Sequence, residues 1–287
     1  MAFNWQTFRT RSLTAIVFAA IMLVGLLWNR WSFFLLFSVV HFGSWVEYQR
    51  LVSRFDADYK AISGAHKWGV MVAGWCLMLY FTNDELHAGT IYLNKMGWWL
   101  GALLALLLPL FDYLVQKRFL IRNMGLSLAG LLYLSMPLAM LVDLRNHWIE
   151  EDYQLSLTVP LLVVFSLWIN DTMAYLVGSM VGRTSLSKVS PKKTWEGTVG
   201  GILLTVVLVG LLAWYSQRLS LMHACVMAAI AAIAGTVGDL FESKLKRMAG
   251  VKDSGSIMPG HGGFLDRFDS LFFAAVAVWF YAMIFLR

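Results

Sequence analysis

Residues 157–181 read Leu157-Thr-Val-Pro-Leu-Leu-Val-Val-Phe-Ser-Leu-Trp-Ile-Asn-Asp171-Thr-Met-Ala-Tyr-Leu-Val-Gly-Ser-Met-Val181. Asp171 is the single charged residue in this run. A helix needs about 20 apolar residues to cross roughly 30 Å of hydrocarbon, and this run is long enough. Eight more apolar runs lie around it, at 12–29, 31–48, 68–82, 97–114, 125–142, 199–216, 221–240 and 270–286. The run at 68–82 is the shortest of them. The first run follows Arg9 and Arg11 and could pass for a signal peptide. No small-x-small cleavage site follows, and a second run begins at once, so it reads as an anchor.

Composition agrees with this reading. The chain has 287 residues, 59% apolar and 14% charged, with a mean hydropathy of +0.65. Soluble domains are about 45–50% apolar and about 25% charged. An ordinary soluble enzyme and a disordered chain are both excluded. Nine spans of about 20 residues leave only short loops, too short for a separate domain of about 50 residues or more. The expected fold is therefore an all-α polytopic integral membrane protein of about nine transmembrane helices, with no soluble domain. It forms a single transmembrane domain over 1–287, with N-terminal helices in 1–155 and the chemistry-bearing helices and loops in 156–287.

Charge supplies a separate test. Nine spans place 18 of the 23 Lys and Arg residues on the side of the N-terminus. Cytoplasmic loops carry such an excess. The N-terminus is expected in the cytosol, with the loops after residue 180 that hold Lys192, Lys193, Lys246 and Lys252 on the same side. The net charge of +6 then reports topology, and nucleic acid is not an expected partner. Cys76 and Cys225 lie in apolar runs and read as small buried hydrophobes. The loop from Asp143 to Asp152, with Glu150 and Glu151, reads as a solvated face on the far side. No metal-ligand histidine spacing, P-loop or nucleophile elbow is present.

Three stretches carry chemistry. The richest runs from Gly238 to Ser270. Asp239, Glu242 and Lys246, spaced i, i+3, i+7, share one helix face, with Ser243 beside them. Pro259-Gly260-His261-Gly262-Gly263 cannot be regular helix, and such a loop lets backbone N–H groups approach a phosphate. Asp266 and Asp269 flank Arg267 where the last span begins. They are either partners of a helix dipole or, beside a Gly-rich loop and several cations, ligands of a hard metal ion. The second stretch is Ser190-Pro191-Lys192-Lys193-Thr194-Trp195-Glu196-Gly197. Two lysines and two hydroxyls at a helix start make an anion site, or the lysines simply anchor the topology. In the third, Asp171 lies about 15 Å below the membrane edge, by the 1.5 Å helical rise per residue. A charge at that depth is either functional or a structural ion pair.

The spacing Ser243-x-x-Lys246-Arg247-x4-Lys252-Asp253-x-Gly255-x3-Pro259-x-His261-Gly262-Gly263-x-x-Asp266-Arg267-x-Asp269 resembles the C-terminal signature of phosphatidate cytidylyltransferases, the CDP-diacylglycerol synthases. The S-P-K-K-T-x-E-G and W-x-x-D-x-x-A-Y stretches resemble the same family, in the same order. The resemblance is specific over about 160–275. Met258 stands where the family more often has another apolar residue, and Thr172-Met173 replace smaller ones after Asp171.

The resemblance implies the reaction CTP + phosphatidate → CDP-diacylglycerol + diphosphate, with Mg²⁺ as cofactor and a second cation, K⁺ among the candidates, left open. It implies Asp239 and Asp266 as metal ligands, with Asp269 in support. Lys192, Lys193, Lys246, Arg247, Lys252 and Arg267 would meet phosphates, and Gly262 and Gly263 would lend backbone donors. Ser243 and Asp253 fall among the substrate contacts. His261 would donate to a phosphate or order its loop. Asp171, with Ser190, Thr194 and Glu196, would complete the nucleotide cavity. The implied enzyme is a multi-pass protein of the cell membrane that works from its cytosolic face on a bilayer substrate, as a homodimer. A transporter would leave the Lys/Arg/Asp/Gly loop unexplained. An inactive scaffold would have lost an acid, and a different CTP-using lipid transferase or kinase is the nearest rival.

Overall fold

The computed structural model describes residues 5–115, 121–148, 152–256 and 262–286, with side chains in the first helix from residue 15 onward. It is almost wholly helical. In chain order the helices are α1 (Trp5–Leu27), α2 (Arg30–Phe55), α3 (Ala57–Lys60), α4 (Gly64–Tyr80), α5 (Leu93–Val115), α6 (Ile121–Gly130), α7 (Met136–Asn146), α8 (Tyr153–Val181), α9 (Trp195–Ser216), α10 (Leu221–Met248) and α11 (Leu265–Phe285). A two-stranded antiparallel hairpin, β1 (His87–Ala88) with β2 (Ile91–Tyr92), joins α4 to α5.

Six helices among the described residues are long and apolar enough to cross a membrane: α5, the continuous α6–α7 rod, α8, α9, α10 and α11. The protein is membrane-embedded on that ground. Helices α1, α2 and α4 occupy the other three apolar runs. Helix α4 has 17 residues, and α2 carries Glu47, Arg50 and Arg54 on its last turns.

The helix starts follow from side chains that accept orphan backbone N–H groups. Asn29 and Ser32 form a capping box on α2. Asp152 accepts from Gln154 N at 2.8 Å at the head of α8. Thr194 Oγ1 accepts from Gly197 N at 3.1 Å at the head of α9. Small residues set the helix contacts. A Cβ on Gly197 would lie 2.7 Å from the Ala174 carbonyl, so α8 and α9 touch backbone to backbone. Ala224, Ala228, Ala231 and Ala232 of α10 are fully buried, and Gly238, where a Cβ would lie 2.5 Å from the Asp269 carbonyl, lets α11 approach closely.

One apolar core joins α1, α2, α4, α7, α8, α10 and α11, and Phe37, Trp45, Leu134, Leu141 and Phe272 lie within it. Between α6 and α7 the rod loosens into a π turn at Leu131–Ser135. That turn aims Ser135 Oγ at α2, where Trp45 Nε1 donates to it at 2.9 Å. The same turn sends Tyr133 into a cluster with Phe241, Phe272 and Phe273 beneath the charged residues described below.

The loop from Asp143 to Asp152 corrects one expectation. Asp143 is not solvated but buried. It accepts from Trp279 Nε1 at 2.7 Å and from Asn83 Nδ2 at 3.1 Å. The α6–α7 rod runs on past the apolar limit at 142 to Asn146, and tertiary donors receive its polar end. Glu150 and Glu151 lie outside the described residues.

Candidate active site

The charged residues of the second half meet around the ends of α8, α10 and α11. The segment between α8 and α9 folds back on itself. Leu186 N donates to Lys193 O at 2.7 Å and Trp195 N to Thr184 O at 2.9 Å. This fold carries Lys193 to α10, where its ammonium pairs with Asp239 Oδ2. Asp239 Oδ1 accepts from Ser243 Oγ, one turn along, at 3.3 Å.

A cavity of about 380 Å³ opens at this pair, and Asp171, Tyr175, Lys192, Lys193, Thr194 and Asp239 are on its walls. A smaller cavity of about 130 Å³ adjoins it, with Asp266, Arg267 and Asp269 on its walls. Asp171 borders both. Asp171 shares a wall with Asp239 in the larger cavity and with Asp269 in the smaller, and Asp269 Oδ1 accepts from Ser270 N at 2.6 Å. Three carboxylates within electrostatic reach, opposed chiefly by Lys193, form a hard-oxygen donor set that suits a divalent cation. Among the described residues no three acids or imidazoles close on one point. A Mg²⁺ ion needs only one or two carboxylates when phosphates complete its shell, so the donor set fits.

Asp266 is placed differently. Its Oδ1 accepts from Lys246 Nζ at 2.6 Å. Its Oδ2 accepts from Ser254 N at 2.8 Å and Gly263 N at 2.9 Å. Lys246 also pairs with Glu242 Oε2 at 2.5 Å, one turn back on α10. Lys246 is thus clamped between two acids and ties α10 to α11, with fully buried Glu242 below it. The loop after α10 turns at Gly262, where φ is +82°, and a Cβ there would strike the Asp266 carboxylate.

One residue of this site escaped the sequence reading. Glu47, on α2, is 2% exposed. Its Oε2 accepts from Ser254 Oγ at 2.6 Å and Leu265 N at 2.9 Å, and its Oε1 from Phe264 N at 3.0 Å. A Cβ on Gly255 or Gly263 would collide with the same carboxylate. These two glycines are required because the loop wraps a buried anion at backbone distance. The Ser254 hydroxyl lies 2.6 Å from Glu47 and 2.8 Å from Asp266. Its single proton therefore serves two carboxylates, and Ser254 links the N-terminal helices to Asp266. The only sequence signal was an acid standing alone among apolar neighbours in Ser44-Trp45-Val46-Glu47-Tyr48.

Other sequence-derived candidates stand apart from the cavities. The Glu196 carboxylate accepts from Arg183 N at 3.1 Å and Thr184 N at 3.2 Å, so it braces the loop that presents Lys192 and Lys193. Ser190 contributes its carbonyl to Lys193 N at 3.1 Å. Arg247 donates to Val251 O at 3.0 Å on the exposed side of α10. Lys252 and Asp253 are exposed. His261 and Met258 lie outside the described residues.

A second charged arrangement joins α4, α5 and α6. His66 Nδ1 lies 2.5 Å from Asp112 Oδ2 and its Nε2 2.9 Å from Ser127 Oγ. Ser, His and Asp in that order suggest a nucleophilic relay. All three are buried, so the trio works as a lock between the three helices.

The model of the cytidylyltransferase family matches residues 9–285. The chain is 34% identical over 269 residues to the phosphatidate cytidylyltransferase of Pseudomonas aeruginosa, covering 92% of each chain. It is 36% identical over 187 residues to the protein of the same name from Bacillus subtilis, covering 64% of this chain and 68% of that one. A Synechocystis relative, also a phosphatidate cytidylyltransferase, is 41% identical over 159 residues, and the match spans about half of its length, 53%.

Proposed function

Since the chain belongs to the cytidylyltransferase family, we propose that it is a phosphatidate cytidylyltransferase, converting CTP and phosphatidate to CDP-diacylglycerol and diphosphate. The observation that carries this reading is the cavity in which Lys192, Lys193, Asp171 and Asp239 meet beside Asp266, Arg267 and Asp269. It offers cations for phosphates and hard oxygens for a metal in one place.

A phosphatidate oxygen attacks the α-phosphorus of CTP. The new P–O bond forms as the bond to the β-phosphate oxygen breaks, and diphosphate departs in line. Both reactants are anions, so the protein's task is to hold them together and neutralise charge. Lys193 and Asp239 neutralise each other at rest. An incoming triphosphate offers Lys193 a second anion, and Lys192 on the same wall adds another cation. Arg267, at the smaller cavity, suits a bidentate contact with a lipid phosphate. Mg²⁺ would be held by Asp239 and Asp266 with Asp269 in support, and it would supply neutralisation of the phosphate oxygens. Asp266 would also keep the Gly262–Gly263 turn in place through Ser254 and Lys246.

The arrangement in the membrane is part of the same reading. Nine spans, with α1, α2 and α4 completing the set and the N-terminus in the cytosol, put Lys193, Lys246 and Arg267 on the cytosolic face of the cell membrane. There CTP arrives from solution and phosphatidate from the bilayer. The whole chain works as one transmembrane domain, in a homodimer.

The test is diphosphate release by purified, solubilised protein given CTP, phosphatidate and Mg²⁺, each omitted in turn. Release that needs all three supports the assignment. Release without phosphatidate, or none from folded protein, overturns it.

A further inference from the structure

Beside the last turns of α2, a separate open concavity of about 650 Å³ has Gln49, Arg50, Ser53, Arg54, Lys60 and Lys67 on its walls. It shares no wall residue with the two cavities of the catalytic site. We propose that this pocket is a second anion site, one that binds the phosphate of an anionic phospholipid headgroup or a free phosphate.

Four cations come from three helices, Arg50 and Arg54 from α2, Lys60 from α3 and Lys67 from α4. No acid is on the walls. Among the described residues none of the four is ion-paired, whereas the neighbouring Arg122 pairs with Asp56 at 2.7 Å. Cations that only fix topology need to sit on the correct side, and they gain nothing from facing one another. Four like charges around one hollow repel one another. An anion in the hollow reverses the sign of that energy.

The rim is also fixed before any ligand arrives. Gln49 Nε2 donates to Lys67 O at 2.9 Å, and Lys67 Nζ donates to Lys60 O at 3.2 Å. The Lys67 ammonium stands 5.6 Å from the ring centroid of buried Tyr59. The preceding residue, His66, is locked between Asp112 and Ser127. The buried trio without a catalytic use thus anchors the helix start that presents Lys67. Two guanidinium groups suit bidentate phosphate contacts, and two ammonium groups add point charges. Arg50 and Arg54 follow directly on the apolar run 31–48.

The experiment counts dioctanoyl phosphatidate bound to the full-length protein by native mass spectrometry, without CTP. Wild type is compared with Arg50→Gln/Arg54→Gln and with Lys60→Gln/Lys67→Gln. The pocket is read from the difference between wild type and variant, so the count does not depend on whether the catalytic cavity takes the lipid. The expected result is one lipid fewer per chain, or binding of that lipid weakened by about tenfold or more, for charge-assisted contacts. A parallel arm adds inorganic phosphate. Displacement of only that lipid assigns the pocket to free phosphate, and retention assigns it to the headgroup. Equal lipid counts and affinities in wild type and in both folded variants, together with equal binding of inorganic phosphate, would overturn the proposal. The two pairs lie on different helices, so either pair decides the question if the other does not fold.

Discussion

Replacing Glu47 should disable the enzyme from a residue that touches neither cavity. Glu47 is buried and accepts from Ser254 Oγ, Phe264 N and Leu265 N. Glu47→Ala leaves the buried Leu265 N–H and the part-buried Phe264 N–H without an acceptor, at about 1–3 kcal/mol each. The total of about 2–6 kcal/mol falls on one loop, because all three donors belong to residues 254–265. That loop also supplies the Ser254 and Gly263 donors to Asp266. A shift of about 1 Å in a positioned group can cost about a hundredfold in rate. We therefore predict a fall of about a hundredfold in kcat for Glu47→Ala, with a smaller change in KM for CTP. Glu47→Gln keeps the shape but points an amide donor or a neutral oxygen at donors that now meet a charge, so an intermediate loss is expected. Two assays run side by side, diphosphate release for turnover and trypsin cleavage after exposed Lys252 for the loop. Faster cleavage with lost turnover is the expected pair. Full turnover in Glu47→Ala, with cleavage unchanged, would refute the claim that this carboxylate holds the loop.

Other substitutions probe the remaining contacts. Asp239→Asn removes the partner of Lys193 and a proposed metal ligand, and kcat should fall by about a thousandfold or more with the protein still folded, the scale seen when an electrostatic group of a site is removed. Ser254→Ala withdraws the proton shared by Glu47 and Asp266, at about 1–3 kcal/mol, and turnover should fall less than in Glu47→Ala. Gly263→Ala forces a Cβ onto the Glu47 carboxylate and should lower both activity and thermal stability, measured on the same preparation. Chelation of divalent ions should stop turnover, and added Mg²⁺ should restore it. Arg118→Ala, between the apolar runs 97–114 and 125–142 in a stretch of sequence without motif residues, should leave the rate within about twofold.

Sequence revealed the helices because lipid imposes a simple rule. A span must be apolar along its length, and the run 157–181 falls inside α8, Tyr153–Val181. The rule weakens where protein replaces lipid. The α6–α7 rod continues through Asp143 and Arg145 because Trp279 and Ser156 receive them, and no local pattern announces such partners. The site divides in the same way. Asp239, Glu242 and Lys246 were legible as one face, with Ser243 beside them, because helical spacing is local. The Lys193–Asp239 pair spans 46 positions and the Ser254–Glu47 bond 207, and composition holds no trace of either. Residue type showed Glu196 and Lys246 as charged, but not that one braces a loop backbone and the other is held between two acids. Gly255 and Gly263 stood out as glycines, and their physical reason is a carboxylate on a distant helix.

Label transfer locates the phosphorus that is attacked. Two samples of CTP, one carrying ³²P at the α position and one at the γ position, are given to the protein with phosphatidate and Mg²⁺. The α label is expected to enter the lipid and the γ label to leave as diphosphate, with neither transfer in Asp239→Asn. A γ label in the lipid would mean kinase chemistry and would contradict the assignment of the α-phosphorus as the point of attack.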